Sequence, residues 1–252
     1  EGFSTSDSAT TGGDLTITFN TLSDGTYASK TVTVTDAAGN AGSITIPTFV
    51  IETILPTITN VTSSTANGIF TTEDVISIQV TFAEAVTVTG TPQLTLETGG
   101  NDAVVDYASG SGSTELTFTY IASASDNNCD LDYSSTSALA LNGGTINDSA
   151  GNAATLTLVS PGATGSLGAN KALVVDNTAP SITVQNITVN VGDGNVTLSA
   201  SDFNNGTTDA CDDSLDYIIT TGTFDCTDVG STQTGLLRAT DDAGNFSEAI
   251  YT

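Results

Sequence analysis

Hydrophobic positions along this chain alternate with Thr and Ser. Clear period-2 runs are Leu15-Thr-Ile-Thr-Phe19, Thr31-Val-Thr-Val-Thr35, Val75-Ile-Ser-Ile-Gln-Val-Thr-Phe82, Gln93-Leu-Thr-Leu-Glu97 and Glu115-Leu-Thr-Phe-Thr-Tyr120. Later runs are Ala172-Leu-Val-Val175, Ile182-Thr-Val184, Asn195-Val-Thr-Leu-Ser199 and Tyr217-Ile-Ile-Thr220. Alternation of this kind places one face of a strand in a core and the other in water. Gly, Asn and Asp clusters separate the runs at the spacing of sandwich turns, and no stretch of about ten residues carries a 3.6-residue period. The pattern predicts an all-β protein.

Two internal repeats organise the strands. Asp-x-Ala-Gly-Asn occurs at Asp36–Asn40 and Asp148–Asn152, and again with an extra Asp at Asp241-Asp242-Ala-Gly-Asn245. Each lies between strand-like runs, where Gly supplies the positive φ of a tight hairpin and Asp or Asn caps it. The second repeat sets Val50-Ile-Glu-Thr-Ile-Leu-Pro56 against Val175-Asp-Asn-Thr-Ala-Pro180, an acidic residue four positions before a proline and then a new strand. These read as domain junctions. Three units follow: 1–53, the closing strands of a first domain; 54–176, a complete domain; and 177–252, a compact one. Tandem β-sandwiches are the expected architecture.

Composition narrows the function. The 252 residues contain 3 Lys+Arg, 29 Asp+Glu and no His, a formal net charge of −26. Without imidazole there is no Ser-His-Asp triad and no His metal ligand. Three cations cannot neutralise a phosphate backbone or dock on an anionic bilayer, so neither nucleic acid nor a membrane surface is an expected partner. No run approaches the roughly 18 apolar residues of a membrane span. No initiator Met, basic n-region or apolar h-region opens the chain, which leads us to expect a piece of a longer or processed polypeptide. Carboxylates are dispersed over turns and linkers with no Trp to stack a sugar, so no catalytic constellation is expected.

The residues that form the repeats also carry a resemblance. Val32-Thr-Val-Thr-Asp-Ala-Ala-Gly-Asn40 and Val175-Asp-Asn-Thr-Ala-Pro180 resemble the Ig-like domains of giant bacterial surface adhesins. Asp74–Val86, with Leu139-Ala-Leu-Asn-Gly-Gly-Thr-Ile146, looks like a repeat of large secreted bacterial proteins. Ser201–Cys211 and Phe224–Gly230 are similar to hyalin-repeat-like Ig modules of Bacteroidetes adhesins. The resemblance implies an extracellular, cell-surface scaffold whose partners are neighbouring Ig-like repeats of the same polypeptide. A glycan- or protein-binding module, with Ala122 to Ser137 as its loop, is the first alternative. An accessory region of a secreted hydrolase is the second, and pairing of like chains through an exposed edge strand stays open.

Such a scaffold suggests Ca2+ at the junctions. Ca2+ takes hard oxygens from Asp, Glu and Asn, whereas Zn2+ wants His or several Cys. In an Ig-like sandwich, the turn of the last hairpin lies where the chain enters the domain. Glu52, Glu84 and Asp148 are therefore expected to converge at the top of the middle domain. Asp176, Asp202, Asp209 and either Asp241 or Asp242 are expected to do so at the top of the last. Asp126-Asn-Asn-Cys-Asp-Leu-Asp132 and Asp212-Asp213 offer further ligands, without the EF-hand pattern. The last unit holds Cys211 and Cys226, expected to form a disulfide closing a loop of about 15 residues and contributing about 3 kcal/mol. Cys129 is then either a free thiol or paired outside this segment.

Overall fold

A computed structural model of the chain describes residues 22–35, 38–192 and 194–252. The expected strand at Leu15–Phe19, and Asp36 and Ala37 of the first turn, lie outside them. Strands dominate throughout, and the described helices are two single turns, so the chain is all-β. Contacts divide it into two units, one comprising residues 1–55 and 150–152, the other 56–149 and 153–252.

Within the first unit, β1 (Gly25–Tyr27) pairs with β4 (Phe49–Ile51), and β2 (Lys30–Thr35) with β3 (Ala41–Ile46), all antiparallel. The β2–β3 register runs from Lys30↔Ile46 to Thr35↔Ala41, with the described residues 38–40 in the connection that leads into β3. Gly39 sits there at φ +89°, the conformation the sequence assigned to it. Tyr27 stacks on Phe49 with ring centroids 5.3 Å apart, while Val34 and Ile44 of the hairpin are exposed.

The second unit begins with β5 (Ile58–Ser63), β6 (Gly68–Phe70) and the fifteen-residue β7 (Val75–Thr89). Then follow β8 (Gln93–Glu97), β9 (Ala103–Ser109), β10 (Ser113–Ile121), β11 (Asp132–Tyr133), β12 (Leu139–Ala140) and β13 (Thr145–Asn147). Eight of these form a curled sheet ordered β11-β8-β9-β10-β7-β13, with β12 on β8 and β5 on β7. The period-2 pattern explains its core. Leu116↔Val80, Phe118↔Ile78 and Tyr120↔Ile76 are cross-strand pairs of β10 and β7, and all six side chains are buried. Val61, Leu94, Leu96, Val105 and Ile146 extend this cluster. Each fully buried side chain of this size contributes roughly 1.5–3 kcal/mol. Helix α1 (Leu167–Asn170), capped by the Ser166 hydroxyl, buries Leu167 in the same core. β14 (Leu173–Val175) closes it in parallel with β6.

A second hydrophobic cluster follows in the same unit. β15 (Val196–Thr197) pairs with β17 (Thr223–Phe224), and β16 (Asp216–Ile219) with β18 (Gly235–Thr240), which also pairs with β19 (Phe246–Tyr251). Helix α2 (Ala200–Phe203) packs Phe203 against Tyr251, with ring centroids 3.7 Å apart, and Leu237 completes the buried set. The runs at 182–184 and 195–199 shorten to isolated bridges and to β15, because Ile182, Val184 and Leu198 cover this small core from segments only briefly paired. The boundary expected after Asp176 falls between the two clusters, both of which lie in one contact unit.

The disulfide differs from expectation. Cys211 bonds to Cys129, 82 residues away, with Cα atoms 4.9 Å apart, and Cys226 is an exposed free thiol. Nearness in sequence misleads because the two last-unit cysteines sit in separately folded loops. Cys226 lies in a turn where Asp225 accepts from the Thr227 N–H at 2.7 Å and Asp228 from the Asp225 N–H at 2.9 Å. Cys211 lies in a loop that reaches back to the first core, where Cys129 stands within disulfide range.

Two measurements check this architecture. Phe118→Ala is expected to lower the unfolding free energy in urea by about 3–5 kcal/mol, as truncated buried aromatics do, while Val104→Ala on the exposed face stays within about 0.5 kcal/mol. Alkylation followed by intact mass is expected to label one thiol, Cys226, without reduction and three after it.

Candidate metal centre

Arg238 pairs with Glu248 at 2.8 Å on the strand surface, and its guanidinium lies over the Phe246 ring. Buried carboxylates are held by N–H and O–H groups instead. Asp126 accepts from Tyr120 Oη at 2.8 Å and the Ser123 N–H at 2.9 Å. Asp132 accepts from the N–H groups of Tyr133 and Gly162, both at 2.9 Å. Burial, then the Asp126 bond and charge, push the Tyr120 hydroxyl well above the ordinary phenol range; burial and Asp132 push Tyr133 up to about 12.

Where the first core passes to the second, three carboxylates meet. Asp176 follows β14, Asp209 lies in the loop before the disulfide, and Asp241 opens the β18–β19 turn. One oxygen from each lies within 4.8 Å of the others. Asp176 and Asp241 are buried, at 2% and 6% exposure. Local geometry puts them there. Asp241 closes its own hairpin, accepting the Asn245 N–H at 2.7 Å, while Gly244 takes the left-handed φ of +88° that the turn requires. The Asn245 amide reaches across to the Asp176 carbonyl at 3.2 Å. Asp176 is fixed from the first core, because its N–H donates to Phe70 O at 3.0 Å. Its neighbour Asn177 bonds Thr72 through its side-chain oxygen and the Asp126 carbonyl through its amide.

The charges in this cluster are only partly compensated. Burial, opposed in part by the Thr178 N–H, raises the Asp176 carboxyl above its ordinary range, and Asp209, Asp241 and Asp212 add like-charge repulsion. Asp209 Oδ1 accepts the N–H groups of Cys211 and Asp212, but its Oδ2 is buried with no hydrogen-bond partner. A buried, unpaired carboxylate oxygen among three other carboxylates is costly unless a cation meets it. The donor set fits Ca2+: it consists of hard oxygens, without thiolate or imidazole. With each Ca–O bond at about 2.4 Å, two oxygens up to about 4.8 Å apart can share one ion.

Other expected ligands go elsewhere. Asp202 is fully exposed at the N-terminus of α2, where it accepts the Ser199 N–H at 2.7 Å and hydroxyl at 2.8 Å. These bonds hold its carboxyl below the ordinary range and complete a capping box, so it is not in the cluster. Of the Asp241–Asp242 alternatives, Asp241 faces inward; Asp242 is exposed and gives its N–H to Asp212 Oδ2 at 2.7 Å. Glu52 belongs to the first unit and Glu84 and Asp148 to the second, so that set is not contained in one unit. In the first unit the Glu52 carboxylate takes the Ile54 N–H and the Asn152 amide, both at 2.6 Å. Asp148 is buried and Glu84 half-buried on β7. Asn177 and Asn245, which fasten the cluster, stand in the linker and turn repeats without the sequence showing what they would bond, and the Cys129–Cys211 bond had no signal beyond its residue types.

The raised Asp176 carboxyl has a definite sign. Its stabilising contribution is present when it is protonated, below the ordinary Asp value near 3.8, and is lost as pH rises through its higher folded-state value. In chelator, the urea midpoint is therefore expected to rise as pH falls from 7 toward 4, and Asp176→Asn is expected to flatten that rise. Comparison with protein-family models, curated proteins and solved structures finds no match, so the role of this cluster rests on its own chemistry.

Proposed function

We propose that this chain is a stalk segment of a secreted bacterial cell-surface adhesin, in which tandem Ig-like β-sandwiches are stiffened by Ca2+ at their junction. The observation that carries the reading is the meeting of Asp176, Asp209 and Asp241 between two cores, with a buried Asp209 oxygen lacking a partner. Asp176 comes from the linker, Asp209 from a loop and Asp241 from a hairpin turn, so one ion held by all three would tie the linker to the second core. Ca2+ supplies charge neutralisation and oxygen coordination, not chemistry on a substrate, and the chain is proposed to act as a spacer instead of an enzyme.

Two further observations support a stalk over a binding loop. The segment from Ala122 to Ser137 is tied down, with Asp126 on Tyr120, β11 on β8 and Cys129 in the disulfide. A cross-link between distant segments fits an oxidising, extracellular compartment. None of the described helices is long and apolar enough to cross a membrane. Its partners on this reading are neighbouring repeats of the same polypeptide, with surface glycans or proteins engaged elsewhere along it.

Thermal unfolding in millimolar Ca2+ and in excess chelator, with Mg2+ as control, tests the proposal. Ca2+ at a hundredfold over its dissociation constant stabilises by about 2.7 kcal/mol, roughly 5–10 °C for a unit of this size. Asp209→Asn, which keeps the oxygen that accepts the backbone bonds, is expected to lose most of that rise. An equal midpoint with Ca2+, Mg2+ and chelator would overturn the metal-stiffened stalk.

A further inference from the structure

Cys129 and Cys211 sit beside the segments that bring Asp176 and Asp209 together. Residue Asn128, just before Cys129, exchanges backbone hydrogen bonds with Val175 at 2.7 and 2.8 Å, and Asp176 is the next residue along β14's course. On the other side, the Cys211 N–H donates to Asp209 Oδ1 at 2.9 Å, and the Asp212 N–H to the same oxygen at 3.2 Å. Each sulfur is thus coupled to one carboxylate of the cluster through a short, hydrogen-bonded piece of backbone. Cys129 is exposed, so the bond is open to a reductant in solvent.

We infer that the Cys129–Cys211 bond and a Ca2+ ion at Asp176, Asp209 and Asp241 are coupled, the redox state of the pair setting the cation affinity of the junction. The inference rests on the Ca2+ reading above. The physical reason is shared constraint. A disulfide bridging 82 residues holds the 128–130 and 209–212 segments together. An ion between Asp176 and Asp209 needs that same approach, against like-charge repulsion. Whichever forms first removes the ordering cost of the second. In reduction, a dithiol gives two electrons and two protons to the S–S bond and becomes a cyclic disulfide. Cys129 and Cys211 end as two thiols, and the carboxylate-bearing segments are released from the cross-link.

The test uses the full chain with Cys226→Ser, which removes the exposed free thiol. Calorimetric titration with CaCl2 is run on the oxidised protein, on the dithiothreitol-reduced protein and on Cys129→Ser/Cys211→Ser. Near-ultraviolet circular dichroism of Tyr120 and Tyr133 reports whether the first core stays packed. Binding about tenfold weaker in the reduced and double-serine forms is expected, within the usual range of coupling between sites. Equal affinity in oxidised and reduced folded protein overturns the coupling and leaves the Ca2+ reading standing. No binding to the oxidised protein at millimolar Ca2+ overturns both.

Linkage supplies a reciprocal measurement that does not require the thiol form to bind. A dithiothreitol redox titration of the oxidised protein is expected to show a midpoint about 30 mV more negative in Ca2+ than in chelator, the equivalent of that tenfold for two electrons. Asp209→Asn, with the disulfide intact, is expected to abolish the shift. A midpoint indifferent to Ca2+ in a protein that binds it would overturn the coupling.

Discussion

The constraint on which this structure depends is the shortage of positive charge. Against 29 carboxylates stand 3 cationic side chains, and among the described residues the paired one is Arg238, on a strand surface. An acid that enters the interior has to be met by hydrogen-bond donors from the backbone or from hydroxyl and amide side chains. Asp126 and Asp241 draw on donors from their own turns, and Asp132 on the N–H groups of Tyr133 beside it and of Gly162 in a distant turn. The price is geometric, because a turn must be folded around each carboxylate before its strands can be buried. Turn structure and core are therefore established together. Asp209 Oδ2 is where the rule fails, and it fails where Asp176, Asp209 and Asp241 come together.

That failure sits between two cores of unequal size. The first has a large buried cluster built on β7 and β10. The second is a small cluster of Phe203, Leu237 and Tyr251, with a ring of half-covered side chains around them. A core this small yields little net stability once chain entropy is counted. Its attachment to the first core through Asn177, Asn245 and the disulfide accordingly forms part of its folding, and the linker after β14 is braced on both sides.

The all-β class was legible because each long strand carries alternation that survives in the fold: the buried Ile76, Ile78, Val80 and Phe82 of β7 are the apolar positions of one period-2 run. The turns were legible because Gly39, Gly151 and Gly244 occupy one backbone conformation under one motif. Asp176 and Asp241 could be picked out because each stands in a repeated motif, the acidic linker before a proline and the Asp-x-Ala-Gly-Asn turn, and Asp209 joins them in the fold. Asp202 could not be separated from them, since Ser199-Ala-Ser-Asp202 is also a helix start, and the local capping bonds win over a distant cluster. The cysteine pairing was illegible because it depends on where two loops end in space, which neither period nor spacing encodes. The boundary after Asp176 was read from a linker motif, but that motif does not reveal how firmly the linker is bonded on either side.

The cross-link between Cys129 and Cys211 also alters how the chain would respond to being pulled from its ends. Tension entering at residue 129 leaves at residue 211 through a pair of sulfur atoms, so the intervening backbone, β11 to β14 and the linker included, carries none of it. The closed loop is slack in the mechanical sense. At about 3.4 Å per extended residue, the 82-residue separation stores about 280 Å of contour that force alone cannot draw out. A two-electron reduction would convert that reserve into extensible length, which makes the bond a latch on reach as well as a brace on shape.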